Sequence, residues 1–563
     1  MNTLMSITLG DLLERNARKY PSYLAVKYIE TDYSRTYYEL NNEVDAIARG
    51  LLGMGIGKGD NIAVWAQNFP EWMVLFHACA KIGAVLVTVN TAYKAGELQY
   101  LLEQSDSKAL FLCNDLRGID STKIMYTICP ELKNSEPGNL RSKTLPLLKM
   151  VVSLDHEYDG MYHWSQIEFF GASVTDKEYA AYKKTVLPSD VIIMLYTSGT
   201  TSFPKGVMLT HSSIINNSAI VSRRMKLRAK DKTLCMIPFY HAFAINLCLV
   251  VPLIHQGALI PLFSYTPVKA MHAIEYEKCN IIYAVPTMYH GITTHGDFNK
   301  YDFSSLRMGV IGGAFCSPDL YQEISEKMRL KYFLNAYGLT ESSACCTMPE
   351  LDAPNEKKMN TVGKAMPFLE IKIIHHETRE TVTPGVQGEL CVRGHNVMKG
   401  YYKMPEATKE TIDREGWLHT GDMAVEDQDG YYIITGKIKD VINRGGENVF
   451  PKELEDFILT HPAVADVQIV AAPSEKYGEE VFAFVVLKKG ATATEKEIKK
   501  YVELHMARYK VPAYVEFISE MPLDASGKAQ RFVLRKMAKE YMDKKVEPTL
   551  KNTRKKPVAV KHK

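Results

Sequence analysis

Val191-Ile192-Ile193-Met194-Leu195-Tyr196-Thr197-Ser198-Gly199-Thr200-Thr201-Ser202-Phe203-Pro204-Lys205-Gly206 joins two physical regimes. The run Val191–Tyr196 is apolar and β-branched, as a buried strand requires. Hydroxyls and glycine crowd the loop that follows. Backbone N–H groups and side-chain oxygens in such a loop can surround a polyphosphate, and Lys205 adds a cation. The GxxxxGK[ST] spacing of a Walker loop is absent. Taken alone, the segment also reads as a plain Ser/Thr/Gly surface turn.

Working outward, the same alternation recurs. Thr36 caps a predicted helix through Leu52, with Leu40, Val44, Ile47, Ala48, Leu51 and Leu52 at helical spacing. The turn at Gly55, Gly57 and Gly59 leads into a strand over Ile62–Trp65. A second helix follows through Phe76, then a buried strand over Ala84–Val89. Further strands are expected at Ile281–Val285 and Met308–Ile311. This pattern predicts an α/β fold, a large multi-lobed body with layered sheets and largely parallel strands. Near Gly436 the character changes. A helix over Pro451–His461, strands near Val464–Val470 and Val481–Leu487, a charged helix around Glu495–Tyr509 and a strand over Tyr514–Phe517 predict a small α+β domain. The expected limits are 1–436 for the body, 437–540 for the small domain and 541–563 for a basic tail. That tail, ending KNTRKKPVAVKHK, reads as solvated and disordered, with weak attraction to anionic membrane or nucleotide as the alternative.

The chain has 563 residues, too many for one ordinary core. Its net charge of +3 gives no field that argues for nucleic acid. The 10 cysteines form no CxxC pair and no zinc spacing, and read as buried thiols in a reducing cytoplasm. The N-terminus carries acidic residues where a secretory signal needs an apolar core. The apolar stretch Leu247–Phe263 is broken by Pro252, His255, Gln256, Gly257 and Pro261, so it reads as core and not as a membrane span.

The loop 196–206 resembles the phosphate-binding loop of the acyl-adenylate-forming superfamily, and further motifs follow in that superfamily's order. Ala336-Tyr337-Gly338-Leu339-Thr340-Glu341 resembles its adenine and magnesium motif, and Trp417-Leu418-His419-Thr420-Gly421-Asp422 its ribose motif. Gly436-Lys437-Ile438-Lys439-Asp440, with Asn443-Arg444-Gly445-Gly446-Glu447-Asn448, resembles its hinge and the loop after it. Ser526-Gly527-Lys528 resembles its catalytic-lysine turn. The resemblance runs from about residue 8 to about residue 535, and its N-terminal features are most similar to bacterial medium- to long-chain fatty-acyl-CoA synthetases.

The resemblance implies a two-step ligase that joins a carboxylic acid to coenzyme A at the expense of ATP, with Mg²⁺, and a small C-terminal domain that swings between steps. It implies that Thr197, Ser198, Gly199, Thr200, Thr201, Lys205 and Thr340 contact phosphate. Gly312, Gly313, Ala314, Tyr337 and Gly338 would cradle adenine, an aromatic face with glycines that let backbone approach. Glu341 would hold Mg²⁺ as a hard oxygen ligand. Asp422 would take the ribose hydroxyls, with Lys437 beside it. Lys528 would bring carboxylate and α-phosphate together, and Lys439 would be the hinge. Arg444, Gly445 and Gly446 would face coenzyme A, and Phe239 and His241 would line the acyl pocket or its gate. Two positions depart from the pattern: Ser202 stands for glycine, and Lys437 for an arginine with a bidentate fork. Aryl-acid ligation, carrier-protein loading and a non-catalytic nucleotide-binding regulator are the alternatives.

Overall fold

The computed structural model describes residues 3–114, 118–197, 204–375, 377–444, 447–474, 477–506, 508–523 and 528–552. The chain divides into two compact units. The first is Met1–Lys372, Cys391–Thr420 and Gly430–Tyr432; the second is Ile373–Leu390, Gly421–Asp429 and Ile433–Lys563.

In the first unit, helix Tyr37–Gly53 begins where the sequence says it should. Thr36 accepts from the Glu39 N–H while Glu39 reaches back to the Thr36 N–H, a reciprocal cap. Leu40, Val44, Ile47, Ala48 and Leu51 are all buried. The next helix, Pro70–Ile82, runs beyond the expected Phe76 and stops at Gly83, whose φ of 73° is left-handed. Its last turns are buried on every side, so no amphipathic period marks them.

Among the described residues this unit holds an eight-stranded and a seven-stranded sheet. The eight-stranded sheet runs Gly400–Tyr401, Lys205–Thr210, Val191–Thr197, Val85–Thr88, Asn61–Trp65, Ala109–Leu112, Met150–Ser153, Tyr162–His163. It is parallel from Val191–Thr197 onward, while its first two strands are antiparallel additions. The seven-stranded sheet runs Tyr332–Ala336, Met308–Gly312, Ile281–Ala284, Lys232–Cys235, Ala258–Pro261, Leu24–Lys27, Ser34–Thr36, and only the last strand is antiparallel. Parallel strands covered on both faces explain the unbroken apolar runs that marked them in the sequence. The stretch from Leu247 is core: a π-helix over Ala244–Val250, a helix over Val251–His255 and the strand Ala258–Pro261.

The second unit is built on the antiparallel pair Val464–Ser474 and Gly478–Leu487, with Tyr514–Phe517 added in parallel. Alternate residues feed two cores. Val481, Ala483 and Val485 pack with Leu454, Ile458, Ile498 and Val502 of the helices on one face. Phe482 and Phe484 pack with Leu534 and Ala538 on the other. The helix expected through Tyr509 ends at Glu503. Leu504 is 67% exposed, so the buried stripe stops there, and Val511-Pro512 disfavours its resumption. The start of the tail also differs from expectation. Helix Arg531–Asn552 continues through residue 541, because Leu534, Ala538 and Tyr541 lie on one stripe and the Tyr541 ring sits 5.1 Å from Phe482. Residues 553–563 lie outside the described residues.

Candidate active site

The first unit assembles a candidate site at the C-terminal ends of parallel strands, where ligands bind in open α/β sheets. Strand Met308–Gly312 pairs with Tyr332–Ala336 so that Gly312 lies opposite Ala336. A Cβ at Gly312 would meet the Ala336 carbonyl at 2.9 Å, and Gly313 follows with φ of 78°. Glycine is required twice in succession here. Gly313 and Ala314 are exposed, which leaves this edge open to a flat ring. Phe243 borders the same pair, 3.9 Å from the Cβ positions of both glycines.

Beyond Ala336 the chain makes a tight loop. The Tyr337 N–H donates to Thr347 and its carbonyl accepts from Cys346. A Cβ on Gly338 would fall 1.7 Å from the Ala344 carbonyl oxygen, so the loop closes only over glycine. Thr340–Ser342 forms a single 3₁₀ turn, and Ser343 and Ala344 then take left-handed backbone at φ of 51° and 78°. The segment after Gly394 clamps this loop. Asn396 Nδ2 donates to the Ser342 carbonyl at 3.0 Å, Ser343 Oγ donates to the Asn396 carbonyl at 2.8 Å, and the Met398 N–H donates to the Glu341 carbonyl at 2.8 Å.

The same segment reaches the phosphate-loop hairpin. Thr197 pairs with Lys205 across strands Val191–Thr197 and Lys205–Thr210, and Gly400–Tyr401 pairs with the outer edge, Tyr401 opposite Val207. Lys205 Nζ lies 4.9 Å from the centroid of the Tyr401 ring. The Tyr401 hydroxyl donates to Glu341 Oε1 at 2.8 Å. Burial, and then the Glu341 charge, push the Tyr401 phenol well above its ordinary pKa, so it stays a donor. Glu341 Oε2 accepts no hydrogen bond from a described residue. A half-buried carboxylate with one oxygen held and the other uncommitted fits Mg²⁺, which takes one or two carboxylates and completes its shell with phosphate and water.

Of the residues singled out in the sequence, the structure thus brings Lys205, Thr197 and Glu341 to one region, and Gly312, Gly313, Tyr337 and Gly338 to adjoining strand ends. Ser198, Gly199, Thr200 and Thr201 lie outside the described residues, as do Gly445 and Gly446. Phe239 is buried against Trp72, ring centroids 5.2 Å apart, and His241 is half-buried two residues on. Phe243, not Phe239, is the ring beside Gly312 and Gly313. Neither Phe243 nor Tyr401 stands out in the sequence. A Gly-Tyr pair in an unremarkable turn gave no signal, because its partner Glu341 is distant in sequence.

The second unit carries the remaining candidates. Asp422 is 7% exposed, and Lys437 Nζ sits 2.6 Å from its Oδ1. The lysine that replaces the expected arginine therefore still reaches the ribose candidate. Lys439 occupies the 3₁₀ turn Ile438–Asp440, whose Asp440 is held by Arg535 at 3.1 Å and Arg531 at 3.6 Å. Arg444 is engaged within the unit: Nε to Glu480 at 2.7 Å and Nη1 to the Tyr509 carbonyl at 2.8 Å. Lys528 is exposed and adjoins the bridge between Leu523 and Ala529.

Known proteins resemble this chain along most of its length. The AMP-binding enzyme family model matches residues 13–402, and the AMP-binding enzyme C-terminal domain model matches residues 453–528. YngI of Bacillus subtilis (strain 168), a candidate acyl-CoA synthetase, is 43% identical over 544 residues, covering 96% of this chain and 99% of that protein. The mitochondrial medium-chain acyl-CoA ligase ACSF2 of Rattus norvegicus is 37% identical over 547 residues, covering 96% of this chain and 89% of that protein. Among solved structures, ATP-bound MatB from Rhodopseudomonas palustris superposes with a TM-score of 0.81 at 26% identity, covering 95% of this chain and 100% of that one.

Proposed function

The chain belongs to the AMP-binding enzyme family, and on that premise we propose that its acid is a medium- or long-chain fatty acid. It is an ATP-dependent acid–CoA ligase that works through an acyl-adenylate, with Mg²⁺ accompanying ATP. Acid, ATP and coenzyme A give acyl-CoA, AMP and pyrophosphate. The fatty-acid reading is supported by the similarity to a medium-chain acyl-CoA ligase along nearly the whole chain. The buried apolar segment Ala244–Leu253, which begins beside Phe243, supports it as well.

One observation carries the assignment of roles: a single ring, Tyr401, at the end of the phosphate-loop hairpin carries Lys205 over its face and donates through its hydroxyl to Glu341. In the first half-reaction a carboxylate oxygen bonds to the α-phosphorus as the bond to pyrophosphate breaks. Two anions must approach, so the barrier is largely electrostatic. Lys205 supplies a fixed positive charge to the phosphates, and Lys528 a second one to the carboxylate and α-phosphate. Mg²⁺ held by Glu341 would neutralise phosphate charge and favour pyrophosphate as the leaving group. Tyr337 and the Gly312–Ala314 edge seat the base, and Asp422 with Lys437 the ribose. In the second half-reaction the coenzyme A sulfur bonds to the acyl carbon and AMP leaves. Rotation at Lys439 withdraws Lys528 and brings the 444–446 loop of the small domain, 437–540, to coenzyme A.

All ten cysteines are buried thiols, and no helix among the described residues is long and apolar enough to cross a membrane. The thiols favour a reducing compartment, and we place the enzyme in the cytoplasm. Purified enzyme with ATP, Mg²⁺ and coenzyme A, assayed against linear, branched and aryl acids, tests the substrate reading. kcat/KM is expected to rise along the linear series, by at most about 0.8 kcal/mol per methylene. A marked preference for benzoate or acetate would overturn it.

A further inference from the structure

We propose that Tyr401, which lies outside the motifs singled out in the sequence, is a positioning residue that sets the enzyme's divalent-metal requirement by orienting the Glu341 carboxylate while its ring carries the phosphate lysine. The proposal rests on the reading above that Glu341 and Lys205 act on metal-bound ATP.

Tyr401 is fixed from both ends. Its backbone is locked to the hairpin: it pairs with Val207, its N–H donates to Thr408 Oγ1 at 2.9 Å, and the next N–H, of Tyr402, donates to Gly206 at 2.8 Å. The preceding residue must be glycine, because Gly400 has φ of 137° and its Cβ would meet Thr408 at 2.8 Å. The ring is 7% exposed, and Lys205 Nζ lies 4.9 Å from its centroid, within cation–π range. Its hydroxyl ends 2.8 Å from Glu341 Oε1.

Glu341 needs such a partner. Its backbone is clamped by the segment after Gly394, but the carboxylate stands at the end of three χ angles that this backbone does not fix. An acidic side chain with free χ angles loses rotamer entropy when it takes a metal. One hydrogen bond from a rigid phenol removes that cost beforehand, and it holds Oε1 while Oε2 stays uncommitted. The ring face and the hydroxyl therefore do different jobs. The face steadies Lys205 for phosphate, and the hydroxyl orients the carboxylate for the metal.

This division is testable with the full-length enzyme. Mn²⁺ affinity is read by electron paramagnetic resonance in the presence of α,β-methylene-ATP, which cannot release pyrophosphate. ATP KM is read by pyrophosphate exchange at saturating Mg²⁺, and thermal melting confirms that each variant is folded. Tyr401→Phe keeps the ring and loses the hydroxyl. It is expected to weaken Mn²⁺ binding about tenfold, the scale of a lost hydrogen bond to a charged group, and to leave ATP KM within about twofold. Tyr401→Leu loses both functions, so Mn²⁺ affinity falls and ATP KM rises. Glu341→Gln is the reference for loss of the metal ligand. Wild-type Mn²⁺ affinity in Tyr401→Phe, with weakened affinity in Glu341→Gln, would overturn the proposal and leave the Glu341 reading intact. Unchanged affinity in Glu341→Gln would overturn that reading, and this proposal with it.

Discussion

Replacing Gly338 by alanine perturbs the candidate adenine site by a known distance. The new Cβ would fall 1.7 Å from the Ala344 carbonyl oxygen, 2.5 Å from its carbon and 2.9 Å from Cys345 Cα, all of them backbone atoms. No rotamer relieves such a clash, so the loop must open by about 1.5 Å to restore van der Waals contact. Tyr337 and Glu341 lie on either side of the hinge point. A misplacement of about 1 Å costs roughly 10²-fold when positioning governs the rate. Gly338→Ala is therefore expected to lower acid-dependent ATP–pyrophosphate exchange about 10²-fold, with a higher ATP KM and about 1–3 kcal/mol less stability from overpacking. Gly96→Ala is the control. No atom lies within 4 Å of its Cβ position and no positive φ is involved, so activity stays at the wild-type level. Stability there rises by about 0.4–1 kcal/mol. Wild-type exchange and ATP KM in Gly338→Ala would refute the placement of the nucleotide at this loop.

Lys437→Met leaves the buried Asp422 without its 2.6 Å partner and is expected to weaken AMP binding about tenfold by fluorescence titration. Lys437→Arg stays within about threefold, because the guanidinium still pairs with the carboxylate. Lys528→Ala is expected to cut pyrophosphate exchange roughly 10²–10³-fold while sparing thioester formation from supplied acyl-adenylate, and Lys439→Pro to do the reverse; equal damage to both halves in either variant counts against the hinge. Burial lowers the pKa of His77 to about 3, and of His211, His255 and His395 to about 4, from an ordinary 6.5. Below 6.5 the unfolded chain binds protons that the native protein refuses. The stability from these neutral imidazoles is thus complete above that pH and is lost as pH falls toward 4. Melting temperature is expected to drop along this limb, less steeply in His255→Leu; an unchanged slope contradicts the burial argument.

Much of the framework was legible because local rules and burial agree. Thr36 announces a helix start through side-chain chemistry that no tertiary contact has to supply. The apolar runs at Val191, Ile281 and Met308 announce strands covered on both faces. The helix after Pro70 was only half legible, since complete burial erases its period and Gly83 alone marks its end. The helix from Arg531 was not predicted from the sequence, and its run past residue 540 depends on Tyr541 docking on Phe482, a contact local spacing does not reveal. The candidate site divides in the same way. Residues whose chemistry is carried by a compact motif, such as Lys205, Tyr337 and Glu341, could be singled out. Tyr401 could not, because its role exists only once antiparallel pairing with Val207 lays it between two motifs. Phe243 was hidden for a similar reason: the sequence offers four rings here, Phe239, Tyr240, His241 and Phe243, and only packing shows which of them meets Gly312.

The central claim is that this chain activates its acid at the α-phosphate of ATP before coenzyme A attacks. An acid labelled with ¹⁸O in both carboxylate oxygens, turned over with unlabelled ATP, Mg²⁺ and coenzyme A, reports on that step directly through mass spectrometry of the phosphate products. The account predicts that AMP carries one ¹⁸O atom from the acid and that pyrophosphate carries none, because the bridging oxygen of the acyl-adenylate leaves with AMP. Label in orthophosphate with ADP as the nucleotide product would place activation at the γ-phosphate and contradict it.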